Sequence, residues 1–290
     1  MNLDAYPSLE AFLAAPAATV ADVAPATMLF TAGGTRRAAA LAGISPESDA
    51  FPGWVRDQLF NSVGLLFRSG VQHIFMVAFA PTEFKEEGAH RALFDNWIDW
   101  VLAGPDSLSH YNRLGWRVRL LGVDSVRLLQ PTAARLCAET PRQSPHTLWF
   151  AVVPKPAIRW QWLLQSAQAA QARTQEEAIR ALYGEEIPPA TLLLSFGKPF
   201  ISPDILPPLL IGQLQCYWRQ RPGYSLTEKE WRAILYDYAF LRATWRQDKG
   251  GRAAKAVAQR TAWEKGPTLG LGRRLGPFWY PAATPEGDEK

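Results

Sequence analysis

Ala26-Thr-Met-Leu-Phe-Thr31, followed at once by Ala32 and Gly33-Gly34-Thr35-Arg36-Arg37, is the stretch that decides the fold. The first six residues form an apolar run closed by turn residues, which predicts a buried strand. The glycines and arginines then fall in the loop beyond its carboxyl end, where open parallel sheets bind their ligands. Two glycines let the backbone approach a phosphate closely, and the amides of Gly34 and Thr35 would point at it. Arg36 and Arg37 add planar, permanently charged forks that match phosphate oxygens. Each charge-assisted hydrogen bond contributes about 1.5–3 kcal/mol, enough to fix an otherwise apolar ligand. The alternative is a tight turn carrying two solvated arginines.

Five more apolar runs have the same signature: Val71 to Phe79, Trp116 to Leu121, Thr147 to Val153, Thr191 to Phe196 and Gln213 to Trp218. Helical spacing fills the intervals at Pro52 to Ser69, Glu86 to Leu102, Pro131 to Glu139, Ile158 to Arg173 and Thr174 to Tyr183. A last helix starts after Thr227, with Glu230 as its capping-box partner, and runs towards Gln247. Strands alternating with helices predict an α/β protein whose central, mostly parallel six-stranded sheet is flanked by helices on both faces. Residues 1–25 read as a lead-in with a short helix, residues 26–248 as the single catalytic domain, and residues 249–290 as a C-terminal arm and flexible tail.

Composition removes whole classes of function. The chain has 290 residues, 48% hydrophobic and 20% charged, so it can bury a full core. Its 31 Lys and Arg against 27 Asp and Glu leave a formal charge of +4, spread along the chain, which favours an anionic small molecule over a nucleic-acid groove. Cys137 and Cys216 are its only cysteines, too few for a disulfide framework or a thiolate zinc site. No apolar run is long enough for a stable membrane insertion, and the N-terminus lacks the basic start of a secretory signal, so a cytoplasmic protein is expected. There is no Walker loop, no serine nucleophile elbow and no Cys-x-x-Cys. His73 falls inside a strand and is read as a packed histidine.

The loop Gly33-Gly34-Thr35-Arg36-Arg37 resembles the signature loop of the cis-prenyltransferases, the undecaprenyl diphosphate synthase-like fold. It is closer still to the DGTRRW loop of that fold's terpene-synthase branch. Ala78-Phe79-Ala80-Pro81-Thr82-Glu83-Phe84-Lys85 resembles the family's AFSTENWK stretch without a gap. Tyr183-Gly184-Glu185 and Arg232-Ala-Ile-Leu-Tyr236-Asp237-Tyr238-Ala-Phe-Leu241-Arg242 resemble later segments of the branch, in the same order. Two departures stand out. The family's loop opens with an Asp that helps hold Mg²⁺, and here that position is Gly33. The family's second-phosphate stretch corresponds to Leu194 to Ser202, which keeps the serine and lacks both arginines, so chain elongation with isopentenyl diphosphate is disfavoured.

The resemblance implies a terpene synthase that ionises a prenyl or cyclised diterpenyl diphosphate, releases diphosphate and gives a terpene alcohol or alkene. A prenyltransferase to another acceptor, or a non-catalytic binding subunit that has lost the metal-binding Asp, are the alternatives. Gly33, Gly34, Thr35, Arg36 and Arg37 would bind the diphosphate, with Arg36, Arg37 and Glu83 as the catalytic candidates. Glu83 is the best carboxylate for Mg²⁺, ahead of Glu86, Glu87 and Asp95. Phe51, Trp54, Phe79, Phe84, Phe94 and Trp97 would line a hydrophobic substrate pocket and face the carbocation. The resembling enzymes carry an active-site tyrosine near Phe51, where this chain keeps the ring and drops the hydroxyl. A homodimer is the family's usual state.

Overall fold

The computed structural model describes residues 6–85, 97–124, 126–241 and 250–282. Two short helices, α1 (Leu9–Leu13) and α2 (Ala17–Ala21), lead into β1 (Thr27–Phe30), one helix more than the sequence predicts. Next come α3 (Thr35–Leu41), α4 (Ala50–Arg68) and β2 (His73–Phe79), then α5 over residues 97–103 and α6 (Pro105–Leu114). The chain continues through β3 (Arg117–Leu121), α7 (Gln130–Glu139), β4 (Thr147–Val152), α8 (Ile158–Ala169) and α9 (Gln175–Tyr183). It then forms β5 (Ala190–Phe196), β6 (Ile211–Arg219) and α10 (Glu228–Tyr236), which runs into a π-helical turn, Asp237–Leu241. Beyond it lie α11 (Arg252–Ala258), α12 (Arg260–Glu264) and a hairpin of β7 (Gly272–Leu275) and β8 (Phe278–Pro281). The expectations at Glu86, Glu87, Phe94 and Asp95, and for the helix beyond Leu241, lie outside the described residues.

All six predicted strands form one sheet in the order β3-β4-β2-β1-β5-β6, and every pairing is parallel. The central strands β1, β2, β4 and β5 are largely buried on both faces, which is why they read as apolar runs, whereas the edge strand β3 alternates arginine with buried Val118 and Leu120. Met28, Phe30, Ile74, Met76, Leu148, Phe150, Leu192 and Leu194 face the core shared with α4, α6 and α10. Leu29, Phe75, Trp149 and Leu193 face the opposite core, which α9 covers through Ile179 and Tyr183. The capping box at α10 is formed as expected, with the Glu230 amide donating to Thr227 Oγ1 at 3.3 Å and the Thr227 amide donating to Glu230 Oε2 at 3.1 Å. Two contacts fasten the end of this helix to the sheet: the Tyr217 hydroxyl donates to Asp237 Oδ2 at 2.5 Å, and the Thr191 and Tyr238 hydroxyls share a hydrogen bond of 2.6 Å.

The sheet departs from strict register twice, between Ala190 and Leu192 where β5 meets β6, and in β2 beside the cavity. Val77 pairs with Ala151 and Phe79 with Val152, so Ala78 is an extra residue. Such a bulge reverses the facing of everything after it. It brings Phe79 to the same face as Met76, buried in the larger core, although alternation would have set it beside Phe75 and Val77.

His73, at the start of β2, is a packed histidine. Trp149 Nε1 donates to His73 Nδ1 at 3.3 Å, so the ring is neutral with its proton on Nε2. Burial lowers its pKa below the ordinary 6.5; nearby Glu185 opposes the shift and Arg117 adds to it. A base whose folded pKa is depressed contributes its stability in full above its unfolded pKa and loses it as pH falls through the folded value. The urea midpoint should therefore fall between about pH 7 and about pH 5, and His73→Gln should flatten that slope. His110 is shifted in the same direction and stays in both proteins, so the difference between them isolates His73.

Candidate active site

The carboxyl ends of β1 and β2 open into a cavity of about 850 Å³, enough for a ligand well beyond ten carbons. Its polar end is the loop after β1: Thr31, Gly33, Gly34, Thr35, Arg36 and Arg37 all belong to the wall. Its apolar body is built from Val55 and Leu59 of α4, Ile98, Val101 and Leu102 of α5, and Met76 and Phe150 from the sheet.

The loop is fixed from three sides. Thr31 Oγ1 donates to Ser195 Oγ at 2.7 Å, tying the end of β1 to β5. The Gly223 amide donates to the Gly33 carbonyl at 3.2 Å. Gly223 lies in a turn held by Arg219, whose guanidinium donates to the Pro222, Gly223 and Ser225 carbonyls at 3.2, 3.3 and 3.0 Å and to Glu230 at 3.0 Å. Burial, and then neighbouring Arg221, push Arg219 down to about 10, still fully charged at neutral pH. Gly34 has φ +79°, in the left-handed region open to glycine, and α3 begins directly after it. With seven residues α3 has a small dipole, so the arginines carry most of the positive charge here.

The ring of Phe196, from the end of β5, packs against this loop. A Cβ on Gly33 would come within 2.9 Å of Phe196 Cδ1, and one on Gly34 within 2.9 Å of two ring carbons. The Asp that the cis-prenyltransferase loop would place at 33 is therefore displaced by an aromatic ring. Arg36 is exposed at the rim, while Arg37 is half-buried.

Glu83 reaches the same cavity, and among the described residues it is the only carboxylate in the wall. Its Oε2 accepts from the Ala80 amide at 2.8 Å and from Thr82 Oγ1 at 3.1 Å, so the carboxylate also fastens its own turn. Phe51 and Trp97 are in the wall too, edge to face at 5.9 Å. Trp54, Phe79 and Phe84 are not among the wall residues. Phe79 is buried in the larger core with Phe84 against it, and Trp54 packs beside Phe51 and Val55. Trp100, one turn from Trp97, is 39% exposed beneath the Arg56 guanidinium, outside the cavity.

Sequence reading missed Tyr224 and Phe278, both in the wall. Burial raises the Tyr224 phenol far above its ordinary value, so it stays protonated. Phe278 belongs to the C-terminal hairpin, expected to be a peripheral arm.

This arrangement can hold an anionic head in the loop and enclose a long apolar body, with π faces beside the point where the two meet. Two solved structures share the chain's fold. Lavandulyl diphosphate synthase from Lavandula x intermedia, in complex with dimethylallyl diphosphate, aligns with a TM-score of 0.57 over 78% of this chain and 98% of its own, at 13% identity. A probable undecaprenyl diphosphate synthase from Campylobacter jejuni aligns at 0.53 over 77% and 97%, at 12% identity. These likenesses show the cis-prenyltransferase fold. No protein-family profile matches the chain. Among characterised relatives, (+)-kolavelool synthase from Herpetosiphon aurantiacus is 46% identical over 279 residues, 96% of each chain. Tuberculosinyl adenosine transferase from Mycobacterium tuberculosis is 26% identical over 260 residues, 80% of this chain and 82% of that one. The chain belongs to the family of kolavelool synthase, terpene synthases built on the cis-prenyltransferase fold, and it is an enzyme.

Proposed function

We propose that the enzyme ionises a cyclised diterpenyl diphosphate in the cavity beneath the Gly33–Arg37 loop. The observation that carries this reading is the pair of arginines at the polar end of an apolar cavity of about 850 Å³. The carbon–oxygen bond to the diphosphate breaks with both electrons leaving on oxygen. Arg36 and Arg37 meet the charge that grows there, and preorganised donors of this kind favour the transition state over the bound substrate. The cation left behind lies among Phe51, Trp97 and aliphatic side chains that exclude bulk water. Addition of one admitted water, which then gives up a proton, yields a terpene alcohol; loss of a proton from carbon yields an alkene.

Magnesium fits the site through Glu83, since Mg²⁺ is usually held by one or two carboxylates together with substrate phosphates. When bound it would neutralise part of the diphosphate charge. The homodimer is carried by the resemblance and the cytoplasmic location by the sequence alone; among the described residues no helix is long and apolar enough to cross a membrane.

The test is diphosphate release from geranyl, farnesyl, geranylgeranyl and bicyclic labdane- or clerodane-type diphosphates, with and without Mg²⁺, and mass spectrometry of the organic extract. One discrete product from a bicyclic substrate is expected. The similarity to a transferase supports a second reading, transfer to a nucleophilic acceptor. Release that begins only when an acceptor is added would establish that reading instead.

A further inference from the structure

Most of the β7–β8 hairpin is exposed: residues 272–275 all are, and Phe278 and Tyr280 keep 44% and 39% of their surface. Contacts among the described residues nevertheless join it to the body of the protein. Gln220 Nε2 donates to the Trp279 carbonyl at 3.0 Å. The Phe278 ring stacks on Arg37, its centroid 3.9 Å from the guanidinium carbon, and Phe278 is part of the cavity wall. The ring of Phe196 lies 5.3 Å from the same carbon. Arg37 therefore has aromatic neighbours from β5 and from the C-terminal hairpin, and among the described residues its buried Nε has no hydrogen-bond partner.

Aromatic contact has a different chemical effect from an ion pair. A carboxylate would use the N–H donors of Arg37 and cancel its charge. A ring face orients the guanidinium through its quadrupole and leaves the N–H groups for a ligand. A guanidinium held in one orientation also loses less side-chain entropy when it grips an anion.

We propose that Phe278 is a positioning residue for the diphosphate clamp: the C-terminal hairpin lays this ring over the cavity, holds the Arg37 fork in its binding orientation and closes the rim beside it. The ligand class is a diphosphate, and the inference rests on the reading of the Gly33–Arg37 loop given above.

The experiment uses the full chain as wild type, Phe278→Leu and Phe278→Trp, with inorganic diphosphate as the probe in titration calorimetry. KM and kcat are measured on the substrate that the release assay identifies. Phe278→Leu should weaken diphosphate binding and raise KM by about tenfold, with little change in melting temperature. Phe278→Trp should restore both, which a merely structural role would not predict. Equal diphosphate binding by wild type and Phe278→Leu would overturn the proposal and leave the reading of the loop standing. No binding by either protein would overturn the reading of the loop, and this proposal with it.

Discussion

Replacing Arg37 with alanine is expected to slow diphosphate release by about 100- to 1000-fold, the usual cost of removing one preorganised donor from a developing oxyanion. The effect should fall mainly on kcat, because the charge that Arg37 meets grows as the carbon–oxygen bond breaks. Arg36 is exposed, so its field is screened more strongly, and Arg36→Ala should cost less than Arg37→Ala. Arg37→Lys should rescue little. An ammonium keeps the charge but has neither the planar fork nor the flat face that stacks on the Phe278 ring. Single-turnover release by rapid quench measures the chemical step directly. Undiminished turnover in the Arg36→Ala, Arg37→Ala double variant would sink the proposed function.

Restoring the family's aspartate, Gly33→Asp, is expected to harm the protein. The new Cβ would stand 2.9 Å from Phe196 Cδ1, and the three nearest atoms to it all belong to that ring. Overpacking of this kind costs about 1–3 kcal/mol. The loop is also held by Thr31–Ser195 and Gly33–Gly223, so it cannot simply move away. A lower melting temperature and a loss of turnover should appear together. Phe196→Leu should relieve the clash, and the Gly33→Asp, Phe196→Leu pair should melt above Gly33→Asp alone. If Gly33→Asp instead raises activity by itself, the ring yields easily and the missing carboxylate was limiting the enzyme.

The four central strands were legible because parallel strands buried on both faces leave apolar runs bounded by turn formers; the edge strands β3, where Arg117 and Arg119 alternate with Val118 and Leu120, and β6, interrupted by Gln213 and Gln215, carried a weaker signal. That the Gly33–Arg37 loop belongs to a cavity wall was legible because two glycines beside two arginines follow a strand end, where open parallel sheets bind ligands. The pocket's aromatics were read less well, for physical reasons. Phe79 and Phe84 flank Glu83 in sequence, but the bulge at Ala78 turns Phe79 into the core, and a period of two cannot signal a bulge. Phe196 and Phe278 reach the loop from 159 and 241 positions beyond Arg37 (196 − 37 and 278 − 37), and nothing local marks either as a neighbour of an arginine. The helix α6 was missed although Pro105 stands in its first turn and Gly115 closes it at φ 66°, the usual start and stop signals. Its polar residues, Ser107, Ser109, His110 and Asn112, masked the short apolar face formed by Leu108 and Tyr111.

The sheet order also dictates when, during synthesis, this enzyme can come into being. β3, β4, β2 and β1 form a contiguous half-sheet once residue 152 has been made, and one of its open edges is β1, Thr27–Phe30, every residue of which is buried in the finished sheet. That edge waits for β5, which begins at Ala190 and brings both Ser195 to Thr31 and the Phe196 ring to the glycines. Until then the nascent chain offers an unpaired, greasy strand to any neighbour, the situation in which edge-to-edge association begins. Closing that edge also makes the first contacts that shape the Gly33–Arg37 loop, so the end of an aggregation-prone intermediate and the start of site assembly come with the same strand.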